Sequence, residues 1–537
     1  MARMATRETS FWGWGWADKF PGEEALRSIG EQVSGLLGVD VGAPRPPPSP
    51  GSVVVPPPRV APPAGLAPFS SAAPLERASH TYGKAYRDLV RGFRGDFSPA
   101  PDFVARPRTE DEIRAVLEHC DARRIAVVPF GGGTSVVGGV EAAVGTRYAG
   151  AVSLDLKALS SVLEFDDVSR SARIQAGALG PVLEAQLGER GFTLRHFPQS
   201  FEFSTLGGWL ATHAGGHFAT LYTHIDDLVE STRLLTPRGV LETRRLPASG
   251  AGPGPDHLVL GSEGALGVIT EAWVRVQPRP RFRVSASVFF DRFESAVEAT
   301  REVAQSGLYP SNCRLLDAQE ALMNGVAAGE CVLLLAFESA DHPLDAWIQR
   351  ALAIAAGHGG RCPKGPVSHE GERKRGGLDA AGSWRAAFLE APYLQNALVS
   401  LGVIADTFET ACTWKAFPEL HRQVGEAMRG SLARVCGAGL VSCRFTHVYP
   451  DGPAPYFTFV GPGRAGAELE QWAELKESAS EAILRSGGTI THHHAVGRVH
   501  RRWYERERPA LYGATLEAVK AVLDPNGICN PGALVGP

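Results

Sequence analysis

From Asp102 onward the chain alternates apolar and polar positions in a way that predicts helices and strands in turn. "TEDEIRAVLEHCDARR" has apolar residues at helical spacing behind a capping box, with Thr109 at the cap and Glu112 three residues on. "IAVVPFGGGTSVVGG" is a continuous apolar run entering a glycine loop, the pattern of a buried strand. "AVSLDLKAL" alternates like a half-buried strand, and "SVLEFDDVSRSARIQAGAL" reads as two strands around a polar turn. "GPVLEAQLGERG" predicts a short helix, and the region runs to about residue 280, where "VQPRPR" interrupts it.

Further on, "RFRVSASVFF" predicts a strand, "FESAVEATREVAQSG" a helix and "ECVLLLAFES" a strand. The polar stretch "SHEGERKRGGLDAAG" (368–382) predicts an exposed loop. The tail predicts a helix at "AILRSGG", a strand at "TITHHH", a helix at "LYGATLEAVKAVLD" and the ending "DPNGICNPGAL". On a strand, His492 and His494 would face one way and His493 the other. Near the front, "SFWGWGWADKF" predicts an aromatic anchor and "EEALRSIGEQVSGLLG" a helix. The Pro-rich run at 41–65 predicts an extended spacer.

At one domain per ~150 residues, 537 residues suggest three or four units. A net charge of −4 leaves no broad basic footprint for nucleic acid. The eight cysteines are scattered without a C-x-x-C pair, so reduced thiols are expected. No apolar h-region, run of ~20 apolar residues or peroxisomal ending is visible. The expected compartment is the cytoplasm, with membrane association left open.

Three segments carry candidate chemistry. In "VPFGGGTS" three glycines after a strand let backbone approach a ligand and form an anion-binding nest suited to a pyrophosphate. The spacing is neither a Walker loop nor a Rossmann fingerprint. "HFPQSFEFSTLGGWLATHAGGH" concentrates hydroxyls and bare backbone, suiting a ligand rich in oxygen. "GSEGALGVIT" is a third glycine-rich turn. For the histidine run, metal ligation lacks a Cys, Asp or Glu close in sequence, so no metal is expected and a proton relay reads better.

These three segments and the ending "DPNGICNPGAL" resemble the flavin-binding fold of the vanillyl-alcohol-oxidase and p-cresol-methylhydroxylase superfamily. "FWGWGWADKF", "EFSTLGGW", "DLVESTRLLTPRG", "GSEGALGVITEA", "CRLLD", "DTFETA" and "ITHHHAVGR" resemble its alkyldihydroxyacetonephosphate synthase branch in order. The resemblance implies an α/β (α+β) protein. Its parts would be a Trp-rich segment (1–40), a Pro-rich linker (41–75) and a two-subdomain FAD-binding domain (76–280). A substrate-binding cap (281–475) and a C-terminal segment (476–537) returning to the FAD domain would follow. It implies FAD, not covalently attached.

By the same resemblance, Pro129, Gly131, Gly132, Gly133, Thr134 and Ser135 would cradle the pyrophosphate. Gln199, Ser200, Glu202, Ser204, Thr205, Thr212, His213, Ala214 and Gly215 would contact flavin and diphosphate. Glu263, Gly264, Leu266, Gly267, Val268 and Ile269 would close over the adenosine end. The family exchanges the acyl group of acyl-dihydroxyacetone phosphate for a long-chain alcohol without net redox. Tyr456 would be the base, with Arg314 and His492, His493 and His494 beside it. As a base, Tyr456 needs a cationic neighbourhood, because its ordinary pKa is ~10.

Two positions depart from the family pattern. His213 stands where the family usually has arginine, and Gln395 where it has its phosphate-binding arginine. An amide lacks the charge-assisted grip on phosphate. Arg385 or Lys415 would replace it, or the enzyme would be an FAD-linked oxidase or dehydrogenase acting on a 2-hydroxy acid or related alcohol. The expected substrate is lipid-like; peripheral membrane contact and a homodimer stay open.

Overall fold

The computed structural model describes residues 7–222, 224–371 and 380–536, the side chains of 380–389 excepted. Among the described residues, sheets of four, five and seven strands carry the architecture, with one short two-stranded pairing.

The four-stranded sheet holds the first glycine loop. Ala151–Asp155 lies between Phe103–Ala105 and Ala126–Phe130, parallel to both. Parallel strands are covered on both faces, and all five residues of Ala151–Asp155 are buried, so the half-buried reading of "AVSLD" does not hold. Asp155 is polar but internal, 3.2 Å from His80 Nε2 and 3.2 Å from Arg106 Nε. The helix Glu110–Arg123 packs Ile113, Val116 and Leu117 onto this sheet. Thr109 caps it, accepting from Glu112 N at 3.2 Å, while Glu112 reaches back to Arg108 N at 2.6 Å, one residue short of a full capping box. The C-terminal segment returns here: Val127 N donates to Ile528 O and Asn530 N to Val127 O, each at 2.8 Å.

The five-stranded antiparallel sheet contains the hairpin Val162–Asp166 and Ser171–Gln175 beside Val268–Arg275. The seven-stranded sheet orders its strands Val367–Glu370, Phe282–Phe290, Cys331–Ser339, Asn312–Leu316, Leu440–Val448, Pro453–Pro462 and Val403–Glu409. One face of it is apolar. Phe408, Phe445, Phe457 and Phe459 lie there against helices that include Phe417–Cys436 and Glu468–Arg485. Each such ring contributes roughly 1.5–3 kcal/mol by leaving water. The opposite face points at the glycine loops.

Several sequence expectations shift. Residues 367–370 pair with Phe282–Ser285 as an edge strand, so that part of the expected loop is sheet; 372–379 lie outside the described residues. The helix Glu468–Arg485 runs through the boundary expected at 475/476. The Pro-rich segment is fastened to the body: Arg45 N donates to Ser400 O at 2.9 Å, and Ser70–Ser71 pairs with Val104–Ala105. The helix Pro74–Ser79 crosses the linker's expected end. Trp12 and Trp14 are each 6% exposed, so these two rings of the aromatic cluster face the core rather than a membrane. The alternation with glycine has a local cause. Gly15 has φ +71° and presses on Tyr393, where a Cβ would come within 2.4 Å of the ring. Trp14 N donates to Asn396 Oδ1 at 2.8 Å and Asn396 Nδ2 to Trp14 O at 3.0 Å.

Candidate active site

The strand Ala126–Phe130 delivers Gly131–Ser135 to the edge of a cavity of about 500 Å³. The second segment meets this loop backbone to backbone. A Cβ on Gly132 would lie 1.6 Å from Phe203 O, and one on Gly131 2.2 Å from Thr205 Oγ1. Gly133 turns the chain with φ +67°. Thr134, Ser135, Gln199, Ser200, Ser204, Thr205, Thr212, Ala214 and Gly215 also line the cavity. Bare backbone and hydroxyls on one wall fit the phosphate-bearing, many-oxygen part of FAD.

Other expected flavin contacts do not line this cavity. Pro129 backs Gly264, whose Cβ would come within 2.9 Å of its ring. Glu202 is exposed and accepts from Trp16 Nε1 at 2.6 Å. His213 caps a helix in the left-handed region and lies 3.7 Å from Asp226 Oδ2. The third segment knits elements together. Glu263 accepts from Val496 N at 2.8 Å and Gly497 N at 2.7 Å, its carboxyl pushed up to about 7 by burial. Leu266, Val268 and Ile269 belong to the core, and Gly267 passes over Leu235 O.

The opposite wall comes from the polar face of the seven-stranded sheet. Strand register pairs Leu316 with Arg444, Arg444 with Tyr456 and Tyr456 with Glu409, so these residues share a row on one face. Arg314, two residues before Leu316, joins that face. Arg314, Arg444 and Tyr456 all line the cavity, with Glu320 beside them in an ion pair to Arg444.

The histidine triplet is not on a strand; residues 492–494 form a bend. Glu409, 1% exposed, explains why. Its Oε1 accepts from His492 N at 3.0 Å, His493 N at 2.7 Å, His494 N at 2.7 Å and Thr491 Oγ1 at 2.9 Å. Its Oε2 lies in hydrogen-bonding contact with His493 Nδ1. Burial works to raise this carboxyl, but His493, hydrogen-bonded to it, outweighs burial and holds the group well below the usual carboxylate range. His493 and His494 line the cavity; His492 lies behind them. Burial pushes His494 down to about 3 and His492 well below its ordinary value.

"DTFETA" is where the sequence signal for Glu409 lay, without a role attached. The sequence argument against a metal rested on the lack of a nearby acid, and Glu409 supplies one across the fold. Ligand atoms of Glu409, His493 and His494, and of His447, His492 and His493, lie within 4.8 Å of one another. The same atoms make internal hydrogen bonds: His493 Nδ1 to Glu409 and His447 Nε2 with Gly216 O at 3.1 Å.

Tyr456 has the cationic neighbour that a base would need, with Arg444 Cζ 4.0 Å from its ring centre. Burial is the larger effect and pushes the phenol up to about 12, so the hydroxyl stays neutral and donates to Thr407 Oγ1 at 2.8 Å. Arg314 is pushed down to about 9 by burial and then by Arg444. Gln395 lines the cavity, but its amide is engaged at both ends. Its Oε1 accepts from Trp14 Nε1 at 3.0 Å and its Nε2 donates to Ala405 O at 3.3 Å.

Residues 101–244 match the family model "FAD binding domain" and residues 279–534 the model "FAD linked oxidases, C-terminal domain". The chain is 31% identical over 482 residues to the alkyldihydroxyacetonephosphate synthase of Dictyostelium discoideum, covering 86% of this chain and 77% of that one. The chain belongs to the alkyldihydroxyacetonephosphate synthase family. The synthase of Trypanosoma brucei brucei is 30% identical over 475 residues, covering 86% of this chain and 77% of that one. A solved alkyldihydroxyacetonephosphate synthase structure superposes with a TM-score of 0.79 at 25% identity, over 97% of this chain and 98% of that one. A more distant relative is glycolate oxidase subunit GlcD of Bacillus subtilis, 25% identical over 82% of this chain and 90% of that one. FAD is thus the cofactor of this family member.

Proposed function

We propose that this protein exchanges the acyl group of acyl-dihydroxyacetone phosphate for a long-chain alcohol, forming an ether without net redox. The observation that carries this reading is the composition of one continuous cavity. Its polar end holds the flavin loops, Arg314, Arg444, Tyr456 and His493; its other arm is lined by Ile29, Val33, Leu36, Met323, Leu398 and Val460. A charged head and a long apolar chain fit such a cavity together; a small hydroxy acid has no use for the apolar arm. Leu36 and Leu394 line that arm at 36% and 46% exposure, which marks its opening and the natural contact with a lipid surface. None of the described helices is long and apolar enough to cross a membrane.

The phosphate goes to Arg314 and Arg444. Two guanidinium groups stand on one face of adjacent strands and both line the cavity, and their planar forks suit a phosphate dianion. They stand in for the arginine that Gln395 replaces. When bound, FAD would be held by Gly131–Ser135, Ser204 and Thr205 and would supply an electron-poor ring that activates the substrate's C1. His493, backed by Glu409, takes and returns protons, the arrangement of a general base oriented by a buried carboxylate. Tyr456 acts as a neutral hydrogen-bond donor.

Anaerobic incubation of the holoenzyme with acyl-dihydroxyacetone phosphate and labelled hexadecanol should yield labelled ether with no electron acceptor. Bleaching of the flavin by a 2-hydroxy acid, with no ether formed, would instead identify a dehydrogenase. Arg444→Gln should raise KM for the phosphorylated substrate about 10- to 100-fold, the loss of ~1.5–3 kcal/mol of charged hydrogen bonding.

A further inference from the structure

Behind the cavity wall, four side chains from three separate parts of the chain form a continuous hydrogen-bonded line. His493 Nδ1 lies 3.0 Å from His492 Nδ1. His492 Nε2 lies 2.8 Å from the Tyr449 hydroxyl. That hydroxyl bonds to His224 Nε2, and His224 in turn is hydrogen-bonded to the backbone of His213. Only His493 lines the cavity; His492, Tyr449 and His224 lead away from it. The far end opens toward water, where the side chains of Asp226 and His213 are 31% and 45% exposed.

One protonation pattern satisfies every link. His493 Nδ1–H is shared between Glu409 Oε2 and His492 Nδ1. His492 Nε2–H donates to Tyr449, Tyr449 donates to His224 Nε2, and His224 donates from its other nitrogen to the His213 carbonyl. All donors then point outward. His447, whose ring packs 5.1 Å from His492, bonds instead to Gly216 O and stays off the line. The roles differ along it. Glu409 fixes His493, whereas Tyr449 and His224 have no contact with the cavity and no evident purpose in orienting a ligand.

We propose that His493, His492, Tyr449 and His224 form a proton exit that carries one proton per turnover from the cavity to solvent. This rests on the transferase reading, whose balance requires such an exit. The C1–O bond to the acyl group breaks and a C1–O bond to the alcohol forms. The leaving group departs as a carboxylate, because a carboxylic acid titrates near ~4.3. The alcohol's hydroxyl proton is left over. Taken up on the other nitrogen of His493, it displaces the Nδ1 proton to His492. His492 passes its Nε2 proton to Tyr449, Tyr449 passes its own to His224, and His224 delivers one outward. No oxidant or reductant enters.

Tyr449→Phe and His224→Gln, made separately in the full-length holoenzyme, test this. Each should lower kcat about 10- to 100-fold, with KM for both substrates and the flavin spectrum unchanged. Proton release, followed with an indicator dye in weak buffer, should slow equally. The solvent deuterium isotope effect on kcat should rise, and added imidazole should restore part of the rate as an alternative proton acceptor. Wild-type kcat and isotope effect in both variants would overturn the proposal, as would loss of rate that comes with altered KM or flavin spectrum. Failure of the functional reading looks different: wild-type enzyme itself would form no ether. In that case the same variants are read on flavin reduction by a 2-hydroxy acid, and an unchanged rate and isotope effect would overturn the exit for that chemistry also.

Discussion

Glu409→Gln separates two jobs that one buried carboxylate performs. The amide oxygen of glutamine can replace Oε1, so the amides of His492, His493 and His494 and the Thr491 hydroxyl keep an acceptor. The amide nitrogen cannot replace Oε2, because it donates and His493 Nδ1–H needs an acceptor there. His493 must then move its proton to the cavity side, where it can no longer accept one from substrate. Forcing the wrong tautomer on a catalytic histidine costs on the order of 10²–10⁴ in kcat. Stability should change less. Four donors lose charge assistance worth roughly 1 kcal/mol each, partly offset because no charge is buried any longer, which leaves about 2–4 kcal/mol. The assay is ether formation under saturating substrates, paired with chemical denaturation of the holoenzyme. A variant with kcat within about threefold of wild type would refute the histidine–carboxylate reasoning. A variant that fails to fold would be replaced by Glu409→Asp, which keeps the charge at shorter reach and should retain more activity than Gln.

Gln395→Arg should not tighten phosphate binding. It removes the acceptor for Trp14 Nε1, so denaturation should show a loss of about 1 kcal/mol, with KM for the phosphorylated substrate unimproved. Gly132→Ala places a Cβ against Phe203 O, so the purified protein should lack visible flavin absorbance; in wild type, denaturant should release the flavin into the filtrate. His196, His494 and His500 are pushed down to about 3, 3 and 4 by burial, so they stay neutral when folded but charge below pH 6.5 when unfolded. Stability is therefore lost as pH falls below that point, by roughly 2 kcal/mol per histidine at pH ~5; burial lowers His447 and His492 as well, so His196→Asn should flatten the slope only in part. Dialysis against a chelator should leave ether formation unchanged, since Glu409 Oε1 and His447 Nε2 are already held by the His493 amide and the Gly216 carbonyl.

Local pattern was enough for the elements whose residues face one environment. The helix at Glu110–Arg123, with its Thr109 cap, and the strand feeding Gly131–Ser135 were legible because a cap and an apolar run act within a few residues. "AVSLD" misled because Ser153 and Asp155 are polar yet internal, a consequence of neighbours on both sides of a parallel strand. The glycine segments signalled a ligand, yet the third of them serves as a joint, with Glu263 holding the Val496 and Gly497 amides.

By itself the sequence determined the strands, the glycine loops and the chemical types present: a tyrosine, arginines and a histidine run. Tertiary structure decided what each of them can do. Register across the seven-stranded sheet aligned Arg444, Tyr456 and Glu409, residues drawn from three strands. Burial then raised the Tyr456 phenol to about 12 and lowered the histidines, and Glu409 bent a predicted strand into a turn of amides. Proton affinity depends on lost water and on neighbouring charges, and both are set by residues far apart along the chain.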